Sequence, residues 1–366
     1  MLAEPAAVMG VPLRLLAEGP DASAAQVIAD HVVGDHTDLD TLREVTAGCA
    51  VVTFDHEHVP TGHLHALEEA GVAVRPGPDA LVHAQDKGVM REALSGLGIA
   101  SPRYSFVSSP RDVRAFGLPC VLKTTRGGYD GKGVWFIDTE AEAAEAFEVA
   151  AAAGVRLLAE ERVDFRRELS ALVARSPSGQ VAAYPVVAST QRDGICTEVV
   201  APAPDLAPAL AMQAQQIAMR IAAELGVTGI LAVELFETVD GRVLVNELAM
   251  RPHNTGHWSQ DGAVTSQFEN HLRAVLDLPL GAPEARAPWT VMVNILPVSG
   301  AAPLYDGYPH ALARDPRLRV HLYGKSLRPG RKVGHVNAYG EDLDDCLKRA
   351  RHAAAWFAGE LGDASE

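Results

Sequence analysis

Two strand-like runs, Gly229–Thr238 and Arg242–Glu247, flank Asp240-Gly241 and predict an antiparallel hairpin. An Asp-Gly pair supplies the positive-φ turn that lets a chain double back without splaying its strands. Positions equidistant from such a turn face each other, which sets Glu234 against Glu247. Like charges placed there repel unless something neutralises them. Mg²⁺ can do so, because it takes carboxylates together with a substrate's phosphate oxygens, and Asn246 adds an oxygen next door. Leu231, Val233, Leu235, Val243 and Val245 are apolar, and their alternation is met equally well by two glutamates on an exposed strand face.

The rest of the chain divides by its periodicity. Residues 1–97 alternate short apolar runs (Leu13–Ala17, Val32–Gly34, Ala50–Phe54, Val72–Val74) with helix-like stretches (Ala22–Ala29, Asp38–Ala47, Thr61–Ala70). That alternation predicts parallel strands and a doubly wound sheet. Met1 leads directly into a helix, Ala3–Gly10, where such a domain usually opens with a strand. Residues 98–170 predict a smaller unit, with strands at Pro119–Lys123, Val134–Ile137 and Arg156–Glu161 and a helix from Thr139 to about Ala153. Residues 171–287 predict longer strands. They include a hairpin of Leu169–Arg175 with Gln180–Val187, and a helix at Ala207–Leu225. Residues 288–366 add strands at Thr290–Ile295 and near Val320–Tyr323, and a final helix from Asp342. The expectation is a mixed α/β chain of four units.

The charge balance narrows the function. With 47 acidic against 32 basic residues the net charge is −15, which argues against non-specific nucleic-acid binding. Cys49, Cys120, Cys196 and Cys346 are far apart in sequence, spell out no metal knuckle or redox pair, and point to a reduced, cytoplasmic protein. The amino terminus has no basic patch followed by an apolar stretch, so no signal peptide is expected. No uncharged apolar run reaches the roughly 18 residues a membrane helix needs.

Further segments carry chemistry. Gly127-Gly128-Tyr129-Asp130-Gly131-Lys132-Gly133 follows a strand, with Lys123 just ahead of it. Glycines let backbone N–H groups approach phosphate oxygens, and the lysine adds a point charge. The segment is not a Walker A loop, and a flexible hairpin tip fits the same residues. Arg251-Pro252-His253-Asn254-Thr255-Gly256-His257-Trp258 crowds a cation, imidazoles and an amide into a stretch that cannot be regular helix, suited to a small oxyanion. A capped loop with a buried histidine is the plainer alternative. Lys325, Arg328, Arg331, Lys332 and His335 cluster in an acidic chain and suit a phosphate monoester, or form a solvated basic loop. The histidines at 56, 58, 63 and 65 lack zinc-protease spacing and read as a loop at the carboxyl edge of a sheet.

Arg126–Gly133, Leu244–Ala274 and Arg328–His335 resemble the N5-carboxyaminoimidazole ribonucleotide synthetases, a purine-biosynthesis family of the ATP-grasp superfamily, and the resemblance covers nearly the whole chain. It implies an amino-terminal doubly wound domain (1–97), a small lid (98–170), a central antiparallel domain (171–287) and a carboxy-terminal extension (288–366). It also implies a homodimer. The implied reaction consumes ATP with Mg²⁺, bicarbonate and 5-aminoimidazole ribonucleotide. Carboxyphosphate forms first, and the ribonucleotide amine then captures the carboxyl group.

Carried over by position, the resemblance places Lys123 with Gly128, Tyr129, Asp130, Gly131, Lys132, Gly133 and Val134 at the ATP phosphates. Glu160, Glu161, Arg162 and Val163 would line the adenine, and Glu168 would hold the ribose. Glu234 and Glu247 would bind the metal, with Asn246 beside them. Arg251, His253 and Asn254 would meet bicarbonate and, with Asp130 and Lys332, form the catalytic set. Tyr129, Asp130 and Lys132 would reach the aminoimidazole ribonucleotide, and Lys325, Arg331 and Lys332 its phosphate.

His83 and Gln191 stand where the family often has Arg and His near the nucleotide, implying altered ATP affinity rather than lost chemistry. Family members also open with a strand and a glycine turn that this chain lacks. Either the start lies upstream or the amino-terminal domain is incomplete, with apolar edges exposed. Two other readings compete: a different ATP-grasp ligase, which the His253–Trp258 and Arg328–His335 segments disfavour, and a non-catalytic nucleotide-binding module.

Overall fold

The amino-terminal segment makes fewer strands than its alternation predicts. The structure, a computed structural model, describes residues 1–128 and 131–361. Helix Ala3–Met9 stops at Gly10, whose φ of 67° gives a left-handed cap. β1 (Leu15–Ala17) and β2 (His31–Val33) pair in parallel. The two remaining runs reduce to one parallel bridge, Val52 to Val74. Val52 donates to the Ala73 carbonyl and accepts from the Arg75 N–H, both at 2.8 Å, and the pairing goes no further among the described residues. The stretch at 22–29 is a single 3₁₀ turn, Ser23–Gln26, whereas Leu39–Thr46 and Thr61–Glu69 are helices as expected.

The lid is an antiparallel sheet in the order β3 (Tyr104–Val107), β6 (Leu157–Glu161), β4 (Cys120–Thr124), β5 (Val134–Ile137). A 3₁₀ turn at Glu140–Ala143 runs into helix Ala144–Ala153, and Ala143, Ala146 and Ala150 pack on Leu122 and Leu157. Small alanines let this helix lie close to the sheet.

A larger antiparallel sheet holds β7 (Phe165–Arg175), β8 (Val181–Ala183), β9 (Val187–Arg192), β10 (Ile195–Ala201), β11 (Gly229–Thr238), β12 (Val243–Ala249), β13 (Trp289–Ile295), β14 (Arg319–Leu322) and β15 (Gly334–Gly340). Its order is β12-β11-β7-β9-β10-β13-β15-β14, with β8 on the free end of β7. The run predicted at 180–187 therefore splits. β8 closes the hairpin, and after Tyr184–Val186 the chain returns as β9 against the other end of β7. Strands of residues 288–366 extend this sheet rather than forming another. Helix Pro208–Glu224 covers one face of β7 and β11, and helix Leu343–Ala358 packs on β13 and β15.

Helix Lys87–Gly96 joins the three parts. Asp86 caps it, its Oδ1 accepting the N–H groups of Gly88 and Val89 at 2.9 and 3.2 Å. One turn into the helix, Arg91 is 0% exposed. Its Nε donates to Glu160 on β6 at 2.6 Å, and its terminal nitrogens donate to the carbonyls of Val245 and Asn246 on β12 at 3.1 and 2.8 Å. Lys123 of β4 meets the other Glu160 oxygen at 2.7 Å. Burial pushes the Glu160 carboxyl up, but the charges of Lys123 and Arg91 outweigh it and hold it at about 2.

That value lies below the ordinary 4.5, so the pairing stabilises the fold above about pH 4.5 and is lost as pH falls toward 2. Arg91→Met strands a buried carboxylate. It is expected to cost about 3–5 kcal/mol in urea unfolding at neutral pH, with the deficit shrinking in acid. A deficit under about 1 kcal/mol would show that the cluster contributes little to stability.

Candidate active site

The three parts enclose a cleft of about 2910 Å³. Lys123, Gly128, Gly131 and Val134 line it from the lid, with Glu160, Glu161, Arg162 and Val163 beside them. The central sheet contributes Glu168, Gln191, Glu234, Asn246 and Glu247, and the turn after β12 contributes Arg251, His253 and Asn254. Lys325, Arg331 and Lys332 complete the far wall. Tyr129 and Asp130 lie outside the described residues. Lys132 and Gly133 do not line the cleft, and Gly133 instead accepts the Thr124 N–H at 2.9 Å. His83 also stays off the cleft wall, with its Nδ1 3.1 Å from the Ala80 carbonyl of its own helix.

Glu234 and Glu247 are direct cross-strand partners, with a bulge between Glu234 and Leu235. Next to the turn Glu237 pairs with Val243, a register that by itself would set Glu234 against Asn246; the bulge shifts it by one residue and brings Glu247 opposite. Lys87 forms an ion pair with Glu247, and Lys123 donates to Asn246 Oδ1 at 3.1 Å. The two carboxyls are therefore unequal. Burial and the charge of Glu247 push Glu234 up. Burial also pushes Glu247 up, but Lys87 and Lys123 outweigh it and bring it down. Two carboxylates and an amide oxygen form an oxygen-only donor set of the kind hard divalent cations take.

Sequence reasoning passed over Lys87 and Arg91 as site residues. The available signal was an Asp86 cap followed by two cations one helical turn apart, which places both on one face.

The turn after β12 is fixed from several sides. Arg251 donates to Glu57 at 2.8 Å, which ties it to the amino-terminal segment. His253 Nε2 is 3.5 Å from Glu234, and its Nδ1 is 2.8 Å from Thr255 Oγ1. Burial and the charges of Arg251 and Lys332 hold His253 well below its usual range, so it is neutral. Asn254 and Asn294 exchange amide hydrogen bonds at 3.1 and 2.7 Å. The Lys332 ammonium is close enough to bias both Glu234 and His253.

Arg331 donates to Ser326 Oγ at 2.8 Å, and Lys325 sits 5.4 Å from the Tyr323 ring centre. His335 does not join this basic face. It lies on β15, fully buried, with its Nδ1 2.7 Å from the Tyr323 hydroxyl. Of the histidine-rich stretch, His63 and His65 belong to helix Thr61–Glu69, whereas His56 lies in a loop beside Glu18 and His36, just past the carboxyl ends of β1 and β2. There Glu18, His36 and His56 offer atoms within 4.8 Å of one another, but His56 Nδ1 already accepts the His58 N–H at 3.1 Å.

Comparison with known proteins follows this division. Residues 92–268 match the ATP-grasp domain, residues 290–349 the phosphoribosylaminoimidazole carboxylase C-terminal domain, and residues 1–85 the ribonucleotide synthetase preATP-grasp domain. The N5-carboxyaminoimidazole ribonucleotide synthase of Mycobacterium tuberculosis is 54% identical over 364 residues, covering 98% of this chain and 85% of its own length. That of Corynebacterium ammoniagenes is 51% identical, covering 97% and 88%. The crystal structure of the Thermus thermophilus N5-carboxyaminoimidazole ribonucleotide synthetase superposes with a TM-score of 0.86 at 37% identity, over 99% of this chain and 96% of that one. The Aspergillus clavatus synthase, in complex with ADP and 5-aminoimidazole ribonucleotide, gives 0.88 at 28% identity, over 99% and 96%.

Glu168 differs from the other carboxylates in the cleft, because burial alone pushes it up, to about 7. A raised carboxyl favours the fold below its unfolded value near 4.5, and that advantage is lost as pH rises through 7. Glu168→Gln removes the buried charge. The variant is expected to melt higher than the parent at about pH 8 and at the same temperature at about pH 4.5. Identical melting at both ends would contradict a desolvated Glu168.

Proposed function

The chain belongs to the N5-carboxyaminoimidazole ribonucleotide synthase family, and from that premise we propose how its cleft carries out the family's reaction. It is an ATP-grasp ligase of purine biosynthesis. It carboxylates 5-aminoimidazole ribonucleotide with bicarbonate, using ATP and releasing ADP and phosphate. The observation that carries the residue assignment is the cross-strand pairing of Glu234 with Glu247, between the lid lysine and the basic far wall.

ATP lies between the lid and the central sheet. Glu160, Glu161, Arg162 and Val163 border the base, Glu168 accepts from the ribose hydroxyls, and Lys123 with the glycine loop meets the phosphates. Gly128 is suited to close approach, since a Cβ there would stand 2.7 Å from the Lys132 carbonyl oxygen. The donor set of Glu234, Glu247 and Asn246 fits Mg²⁺, which when bound neutralises phosphate charge.

Arg251, neutral His253 and Asn254 hold bicarbonate against the γ-phosphate. Bicarbonate oxygen attacks phosphorus, ADP leaves, and carboxyphosphate forms. Lys123 and Arg251 spread the charge that develops, so catalysis here is chiefly positioning and electrostatics. Lys325, Arg331 and Lys332 hold the ribonucleotide phosphate and direct its amine toward the new carboxyl carbon. The amine attacks that carbon, phosphate leaves, and Asp130 takes the amine proton. The lid loop excludes water from the labile intermediate. On the same premise the enzyme works in the cytoplasm, where its four free cysteines stay reduced, and as a homodimer, which sedimentation of the purified chain would test.

Glu247→Gln should lower ribonucleotide-dependent ADP release by roughly a hundredfold or more while circular dichroism stays unchanged; near-normal turnover would sink the metal assignment. Arg331→Ala should raise the KM for the ribonucleotide about tenfold or more and leave that for ATP within about twofold. Equal effects on both would contradict the phosphate role.

A further inference from the structure

The turn that carries His253 and Asn254 is shaped from behind by one side chain. Gln267 opens helix Gln267–Val275, is 0% exposed and does not line the cleft. Its Oε1 accepts the backbone N–H of His253 at 2.9 Å. Its Nε2 donates to the His253 carbonyl at 2.8 Å and stands 2.9 Å from His257 Nδ1. One carboxamide thus brackets both peptide groups of a single residue, which fixes the backbone torsions of His253 more tightly than either bond alone.

The surroundings are built to the same end. The Gln267 N–H donates to Ser259 Oγ at 2.9 Å, and that hydroxyl donates to the Gly256 carbonyl at 2.6 Å. A Cβ at Gly256 would stand 2.4 Å from Gln267 Oε1, so the amide occupies the space a larger residue would take. Burial pushes His257 down to about 3, which keeps it neutral and able to accept from Gln267 through Nδ1. His253 and Asn254 line the cleft together with Arg251, Pro252 and His257 of the same turn, while Gln267 stands behind them.

We propose that Gln267 is a positioning residue for bicarbonate: its carboxamide locks the His253 backbone and so aims His253 and Asn254 at the oxyanion. This rests on the assignment of Arg251, His253 and Asn254 to bicarbonate. The carboxamide lies behind the cleft wall and acts through the His253 backbone. Its removal therefore loosens one substrate's site and leaves those of ATP and the ribonucleotide in place.

Steady-state kinetics of the full chain, with each substrate varied in turn, test this. Gln267→Met keeps the length of the side chain and removes all three bonds. Its KM for bicarbonate is expected to rise about tenfold with a fall in kcat, while the KM values for ATP and ribonucleotide stay within about twofold. Gln267→Glu keeps the acceptor for the His253 N–H and loses the donor, and should fall between parent and Met variant, which covers the case of poor folding of the latter.

Asn270→Leu is the control. Asn270 lies one turn further along the same helix and donates to the Tyr184 hydroxyl and the Gly281 carbonyl at 2.8 and 3.1 Å. Its loss should lower the melting temperature and leave the bicarbonate KM unchanged. If Asn270→Leu raises that KM as much as Gln267→Met does, the effect is general loosening and the proposal fails. If Asn254→Ala raises it and neither Gln267 variant does, positioning by Gln267 fails and the bicarbonate site stands. If Asn254→Ala leaves it unchanged, both fall together.

Discussion

The arrangement of this enzyme depends on a buried cluster of charges, Arg91 with Glu160 and Lys123. Removing charges from water is costly, and in an interior they persist only when paired and fully hydrogen-bonded. Here the partners come from three parts of the chain. The arginine belongs to a helix at the end of the amino-terminal segment, the glutamate and lysine to the lid sheet, and the accepting carbonyls to β12. Satisfying the charges therefore fixes the three parts relative to one another. The same requirement holds Lys123 and Asn246 together at the nucleotide end of the cleft.

Asymmetry within the acidic pair follows from the same helix. Glu234 and Glu247 are equivalent by strand register, yet only Glu247 receives Lys87. A helix capped by Asp86 presents Lys87 and Arg91 one turn apart, so one cation reaches Glu247 and the other reaches Glu160 of the lid and the β12 carbonyls. Across the cleft, the turn after β12 is held by Glu57, Asn294 and Gln267, which lie far apart in sequence. The turn that carries Arg251, His253 and Asn254 is thus braced by distant elements.

What the sequence made legible was local. The Asp-Gly turn marked the hairpin that carries Glu234 and Glu247, although the bulge beside Glu234 completes their register, and the glycine loop between two strands marked the lid. Helix caps at Asp38 and Asp342 located two helices within a residue or two. What it hid was tertiary. Gly334–Gly340 reads Gly-His-Val-Asn-Ala-Tyr-Gly, with little strand pattern, and is a strand because β13 and β14 lie on either side of it. His335 reads as part of a basic loop until that strand turns it inward to Tyr323. The Asp86 cap places Arg91 on one helix face with Lys87, but not against its partners, which stand at 160, 245 and 246. The alternation in residues 1–97 overstates the sheet, because periodicity reports which residues are apolar and not which backbones meet.

The fastening of Glu160 has a mechanical consequence. The lid is anchored along β6, whose carboxylate is locked to Arg91, whereas β5 lies at the opposite side of the lid sheet, with Phe136 exposed on it. A plate hinged along one side moves most at the other. β4 is fastened too, through Lys123 to Glu160 and to Asn246 of β12, so the edge strand farthest from these ties is β5.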